Sequence, residues 1–336
     1  MPGHNVTEKD FTTAREITEP TGPIVSDLQT AEVLVEDARD QIYSRLRVAV
    51  LNAVTHEYAA VLAVFGEEQS IPSREHVLSP ITYVTIRRPD GRINYIVLAG
   101  ISGQGIAQAA AMASLIKYKC RHVTKIILVG IAAGQPNLSD GERDVRLGDI
   151  VVGNNIIQYD HVKRTDGKID LRGDKLPTAD SDLINLANRL RASQEFAENA
   201  DRLKPWQRYI DENVLKIRKA ARPKAEQDKN YPQRNYTVGT EYERSDNYPY
   251  VHFGTIGSAG TLLKDSKYRD NLNLKYKTIA YEMEGAGVAI ASATNGFGYL
   301  IVRGICDYAD SDKNDQWQTY ASVCAASFAR CILEAL

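Results

Sequence analysis

The sequence predicts an α/β fold: a three-layer α/β/α sandwich with a central mixed, largely parallel sheet, carrying a helical insertion. Three observations predict it. Short apolar runs of strand length alternate with helix-forming stretches, the rhythm of a sheet covered by helices. Two of those runs, "YIVLAGISGQG" and "ILVGIAAG", lead into Gly/Ala-rich turns. Such turns open a crevice at the carboxyl ends of parallel strands, where open α/β sheets bind ligands. The rhythm breaks between about residues 161 and 250 and then resumes, which marks an insertion into one domain and not a boundary between two. No internal repeat is present.

Taken in order, residues 1–45 are polar and acidic and hold Pro20 and Pro23, and read as a loose arm or an oligomer contact. The domain proper is expected over 46–336. "RVAVLNAV" (47–54) is a first strand, followed by the helix-like "HEYAAVLAVFG". "NYIVLAG" (94–100) is a second strand, followed by a glycine-rich turn and the helix "GIAQAAAMASLIKYK". "KIILVG" (125–130) and "GDIVVGNNIIQYD" (148–160) are the third and fourth. Beyond the insertion come the strands "VHFGTIGS" (251–258), "KTIAYEME" (277–284) and "YLIVRGI" (299–305), and a last helix, "WQTYASVCAASFARCILEAL". The insertion is charged and helix-prone, with nine Lys or Arg against five Asp or Glu between 201 and 229. It is either a solvated helical face or a basic lid over an anionic ligand.

Composition narrows the function classes. The 336 residues are 43% hydrophobic and 25% charged with net charge −2, the profile of an ordinary globular chain. That charge gives no overall case for nucleic-acid or membrane partners. No apolar run approaches the ~20 residues of a membrane span. The first twenty residues lack the apolar core of a signal peptide. Cys120, Cys306, Cys324 and Cys331 stand far apart, as expected for free thiols of a reducing cytoplasm. The six histidines are scattered, which does not suit a zinc site.

The stretch "YEMEGAGVAIASATNGFGYLIVRGICDYAD" (281–310) carries the chemistry. Asp307, at the end of an apolar strand, delivers a carboxylate to the crevice, and Glu282 and Glu284 open the preceding apolar helix. Each has a bland reading: Glu284 as a helix-dipole partner, Asp307 as a cap or turn residue. Arg303 argues for more. A charge inside an apolar strand is costly unless paired, and Glu282 or Glu284 would pair it, giving the buried polar cluster typical of active sites. The turn at Gly100, Gly103 and Gly105 could aim backbone N–H groups at an anion or a sugar. Its G-x-x-G-x-G spacing is not the dinucleotide fingerprint, and it has no Walker lysine. Tight packing explains it equally well.

Together these segments resemble the nucleoside phosphorylase/nucleosidase superfamily over about residues 46–160 and 250–335. "EMEGAGVA…YLIVRGICD" is similar to the E-M-E-A…V-R-x-x-S-D pattern of its methylthioadenosine/adenosylhomocysteine nucleosidases. "VLNAVTHEYAAV" resembles the first strand and its Glu-containing turn, "GISGQG" the first glycine loop, "VGIAAG…LGDIVV" the second loop and following strand, and "GSAGTLLKD" the base-contact segment. "VHFGTI", "ICDYADSDKNDQWQTYA" and the insertion look most like the nucleosidase-like domains of bacterial and fungal immune proteins, some of them ATP nucleosidases. The resemblance implies a phosphorylase-like sandwich and a role for each matching residue. Asp307 is the general acid that protonates purine N7, a role that needs its pKa lifted by burial. Glu57 positions or deprotonates the attacking water. Met283 and Glu284 contact the ribose, with Glu282 beside them, and Arg303 orders the acidic cluster. Gly103 and the loop Ile131, Ala132, Ala133 and Gly134 line the substrate, and Leu262 and Leu263 read the base.

The chain also departs from the pattern. Cys306 stands where Ser often precedes the acid, and a thiol is a weaker hydrogen-bond partner. Ile131 replaces a small hydroxyl residue, and "NAVTHEY" lacks the phosphorylases' phosphate-binding arginine. Both gaps favour water over phosphate as nucleophile. The expected activity is therefore hydrolysis of the N-glycosidic bond of a purine nucleotide or nucleoside. ATP is the foremost expected substrate, giving adenine and ribose 5-triphosphate, with a role as an effector of immune defence. The phosphate clamp would come from Lys163, Arg164, Lys168, Arg172 and Lys175 and from Lys216, Arg218, Lys219 and Arg222. The alternatives are a phosphorylase or a methylthioadenosine/adenosylhomocysteine nucleosidase, and a nucleotide-sensing module without turnover. No metal or organic cofactor is expected. The expected partners are the small-molecule purine substrate and further copies of the chain, in a cytoplasmic dimer or higher homo-oligomer.

Overall fold

The computed structural model describes residues 36–71, 80–137, 143–166, 168–172, 176–195, 204–224, 227–228, 230 and 248–336. The chain divides into two compact units, residues 1–42 and 43–336. In the first, residues 36–42 are helical; Pro20, Pro23 and the rest of the arm lie outside the described residues.

The second unit is built on one sheet. Its strands are β1 (Leu46–Asn52), β2 (Gln69–Ile71), β3 (Ile81–Arg87), β4 (Ile93–Gly100), β5 (Lys125–Gly134), β6 (Ile150–Gln158), β9 (Val251–Ser258), β10 (Thr278–Glu282) and β11 (Gly298–Asp307). Between β6 and β9, β7 (Val162–Thr165) and β8 (Lys168–Leu171) form a separate antiparallel hairpin. The order in the main sheet is β10-β9-β6-β11-β5-β1-β4-β3-β2. β1 runs parallel to β4 and β5, β11 parallel to β5, and β9 parallel to β6 and β10. Antiparallel pairing enters at the edge, through β2 and β3, and at β6 against β11. β10 also pairs antiparallel with β5, so five strands close into a ring, which a simple open sandwich would not do. The central strands β1 and β11 are buried almost throughout, which is why they read as continuous apolar runs and not as alternating ones.

The helices are α1 (Thr55–Phe65), α2 (Ile106–Lys119), α3 (Ser181–Arg191), α4 (Pro205–Asn213), α5 (Ser266–Tyr276), α6 (Gly285–Asn295) and α7 (Gln318–Ala335). They cover both faces. α7 packs on α1, α4 and β11, and α6 packs on α2 and β11. Alternation along β11 separates the two layers. A Cβ at Gly304 would overlap the Ala321 carbonyl of α7, while Ile301 lies against Gly285 of α6.

Three local expectations change. "VGIAAG" is not a turn, because β5 continues through Gly134. Glu282 does not open the apolar helix: it closes β10, and α6 begins at Gly285. The insertion is not simply a solvated face. Asp180 caps α3 by accepting from the Asp182 and Leu183 N–H groups, each at 3.0 Å. α4 buries Trp206, Tyr209 and Ile210, and Trp206 meets Phe328 of α7 edge to face with centroids 5.2 Å apart. No helix among the described residues is long and apolar enough to cross a membrane. The four cysteines are free and buried.

Candidate active site

The carboxyl ends of β1, β5, β10 and β11 meet at a cavity of about 520 Å³. Three strand ends bring acids to it. Glu57 comes from the first turn of α1, directly after β1. Glu282 and Glu284 flank the β10–α6 junction, and Asp307 ends β11. Between Ile305 and Asp307 the β11–β5 register slips by one residue. Such a bulge re-aims side chains, and here both Cys306 and Asp307 line the cavity.

Behind three of the acids sits Arg303, fully buried. Its Nη2 donates to Glu282 and, at 3.1 Å, to Glu284 Oε2, and its Nη1 lies 3.7 Å from Glu57 Oε1. Burial alone would lower the guanidinium pKa, but the surrounding carboxylates outweigh it and raise it. Gly130 of β5, opposite Arg303 in register, makes room: a Cβ there would overlap both the guanidinium and the Glu57 carboxylate.

Each carboxylate is held differently. Glu57 accepts from the N–H of Ala53 (2.8 Å) and Val54 (3.1 Å) through Oε2 and from that of Ile131 (2.8 Å) through Oε1. A carboxylate has about four acceptor sites, so about one remains for a further donor such as water. Glu282 is the helix cap, accepting from the N–H of Glu284 (3.0 Å) and of Gly285 (2.8 Å) at the positive end of α6. The side-chain capping role therefore belongs to Glu282, while Glu284 occupies the N-cap position itself. Glu284 accepts from the Gly105 N–H at 3.1 Å, and its remaining lone pairs are left for the cavity. Burial pushes its pKa up to about 7; Arg303 opposes the rise, and Glu282 and Glu57 add to it. Asp307 accepts from the Ala309 N–H (2.9 Å) through Oδ1. Its Oδ2 meets the Cys306 thiol at 3.1 Å and the Lys313 ammonium at 2.8 Å. Burial first, and then the Asp307 charge, push the Cys306 pKa well above its usual value.

Of the residues expected from sequence, Glu57, Ile131, Ala132, Ala133, Leu262, Leu263, Glu282, Met283, Glu284 and Asp307 all line this cavity. Arg303 stands behind it as an organiser. Gly103 and Gly134 are not among the lining residues. A Cβ at Gly134 would strike Ile305 at 2.8 Å and Val145 at 3.1 Å, so its smallness serves packing. The glycine turn spends an amide on Glu284, and Gly105 (φ +121°) has a backbone that only glycine adopts readily. The basic clamp is not found: among the described residues, no insertion lysine or arginine lines the cavity. Arg222 lies over the Trp317 ring at 5.5 Å and Lys216 donates to Asn213. Lys175 and the side chains of Arg164 and Lys168 lie outside the described residues. The cations that do line the cavity are Lys264 and Lys313, which the sequence pattern does not mark. Both lysines stand inside segments singled out there, "GSAGTLLKD" and "CDYADSDKND". Nothing in the linear pattern distinguishes them from solvated loop lysines.

A family model described as the phosphorylase superfamily matches residues 47–336. A nucleotide-binding leucine-rich repeat (NLR)-like protein of Hyaloscypha variabilis is 29% identical over 258 residues, 71% of this chain and 24% of that protein. ATP nucleosidase Cap17 of Escherichia coli is 25% identical over 307 residues, 90% of this chain and 54% of that one. The chain thus spans about a quarter and about half of these two relatives. Among solved structures, a 5′-methylthioadenosine/S-adenosylhomocysteine nucleosidase of Helicobacter pylori superposes with a TM-score of 0.58 at 18% identity, over 87% of this chain and 99% of that one. That likeness is one of fold.

Proposed function

The chain belongs to the phosphorylase superfamily, and from that premise we propose that it hydrolyses the N-glycosidic bond of an adenine nucleotide or nucleoside, with ATP the preferred substrate. The observation that carries the reading is the division of labour among carboxylates around one cavity. Glu57 keeps about one acceptor site free for a water. Glu284 offers lone pairs suited to the 2′ and 3′ hydroxyls. Asp307, fixed by three donors, is the acid for the departing base. In the reaction the C1′–N9 bond breaks, with its electron pair moving into the purine. N7 takes a proton from Asp307, and water adds at C1′ as its proton passes to Glu57. Leu263, packed against a buried cluster that includes Ala133, Tyr159 and Tyr281, gives the base an apolar slot.

Water is favoured over phosphate by the amide count as well as by the missing arginine. The Ile131 N–H, which could have faced a phosphate oxygen, is spent on Glu57, and Arg303 is committed to acids. The preference for ATP is supported by similarity to the ATP nucleosidase along 90% of this chain, with Lys264 as a cation lining the cavity. It does not rest on the insertion. A role as a nucleotide-depleting module of an immune protein follows the same resemblance.

The test is chromatography of products from ATP, AMP, adenosine and methylthioadenosine in phosphate-free buffer. Adenine and ribose 5-triphosphate are expected, with Asp307→Asn slower by ~10²–10⁴-fold. Sugar product formed only with added phosphate, as ribose 1-phosphate, would make the protein a phosphorylase. Faster cleavage of methylthioadenosine than of ATP would reassign the substrate. Binding without any product would leave a sensing module.

A further inference from the structure

Asp307 lies between two cavities. Besides the one just described, it lines a second, of about 260 Å³, together with Cys306, Tyr308, Asp310, Asp312 and Lys313. Lys313 is the ion-pair partner of Asp307 at 2.8 Å, and its side chain is only 17% exposed. It lines both cavities. The loop around it, residues 311–316, is otherwise exposed, and Glu57 and Glu284 line the first cavity but not the second.

This geometry poses a problem for the proposed chemistry. A general acid must hold a proton when the base departs, and Asp307 is tied to the Lys313 ammonium. The pair as a whole nevertheless carries the proton required. When substrate fills the first cavity, it displaces water from the Asp307 side of the pair. Charges deprived of solvent lose their advantage over neutral partners, so an amine beside a carboxylic acid comes within reach.

Resting on the hydrolytic reading above, we propose that Lys313 acts through Asp307 as the source of the proton given to the purine, and that the second cavity is the route by which Lys313 is recharged from solvent. The steps balance. As the C1′–N9 bond breaks, purine N7 takes a proton from Asp307, and Asp307 takes one from the Lys313 ammonium. The neutral Lys313 amine then takes a proton from solvent through the second cavity. The water that adds to C1′ loses its proton to Glu57, which releases it to solvent. The sum is nucleotide plus water giving adenine plus the ribose phosphate. Asp307 is thereby restored in each turnover without opening the substrate cavity.

The experiment compares Lys313→Met and Lys313→Arg with wild type on two substrates. One is ATP, whose adenine needs a proton to leave. The other is 4-nitrophenyl riboside, whose leaving group departs as a stable anion. Arginine keeps the charge that orients Asp307 but does not give up its proton, so it separates positioning from proton supply. Both variants are expected to lose ~10²-fold in kcat on ATP, with KM changed no more than about threefold. Both should lose at least ~10-fold less on the nitrophenyl riboside, while melting temperatures confirm folding. Full kcat on ATP in Lys313→Arg would reduce Lys313 to a charge that holds Asp307. Equal losses on the two substrates in both variants would make its role structural. Either result overturns the proposal and leaves the nucleosidase reading intact. A wild-type protein that releases no adenine overturns both.

Discussion

Glu284 is the residue whose setting has the clearest thermodynamic consequence. Burial pushes its pKa from 4.5 up to about 7, so between those values the folded protein holds a proton that the unfolded chain releases. Where the folded state binds more protons, stability falls as pH rises. The ligand-free protein should therefore lose stability from about pH 4.5 to about pH 7, and Glu284→Gln should flatten that slope. Calorimetric melting temperatures across this range check it, and parallel profiles for the two proteins would count against the assignment. Glu57, Glu284 and Asp307 were legible in the sequence because each sits in a motif whose order along the chain matches a known pattern. Glu282 was legible as an acid but not as a cap, since that role depends on where β10 ends. Lys313 was not legible at all. Its partner stands six positions earlier, and only the loop that folds back from β11 to α7 turns a lysine among solvated neighbours into a partly buried counter-ion.

At the level of elements, strands that are apolar on both faces announced themselves. β9 occupies the very residues expected, and β11 extends past its apolar run to include Cys306 and Asp307. What pattern cannot supply is pairing. The antiparallel contact of β10 with β5, which closes the ring, involves only Ala280 with Gly134 and Tyr281 with Ala133, and no periodicity encodes it. The insertion shows the same limit in the other direction. Its charged composition points to solvent, yet α4 presents Trp206, Tyr209 and Ile210 on one side and docks them on α7. Trp206→Ala should therefore destabilise the protein by ~3–5 kcal/mol, the usual cost of emptying a buried aromatic site, measured by denaturant unfolding. A solvated face would yield no more than about 0.5 kcal/mol. Because α7 also packs against Gly304 of β11, three residues before Asp307, the same variant should lower kcat more than it raises KM.

For the whole molecule, the question is how much of the chain the chemistry needs. Every residue lining either cavity at Asp307 belongs to the unit from 43 to 336, and so does the buried cluster around Arg303. The family match begins at residue 47, at the second position of β1. The polar arm supplies no lining residue among those described, and its composition lacks the apolar content needed to build a core. A chain beginning at residue 43 should therefore fold, melt within a few degrees of the full chain, and cleave ATP with kcat and KM within about twofold of it. This is a claim about the site and not about assembly. The sequence leaves the arm open as an oligomer contact, so light scattering belongs beside the kinetics. A shortened chain that turns monomeric yet keeps its rate would assign the arm to assembly. A shortened chain that folds and keeps its oligomeric state but loses turnover would mean that the arm reaches the cavity, and that a site drawn from residues 43–336 alone is incomplete.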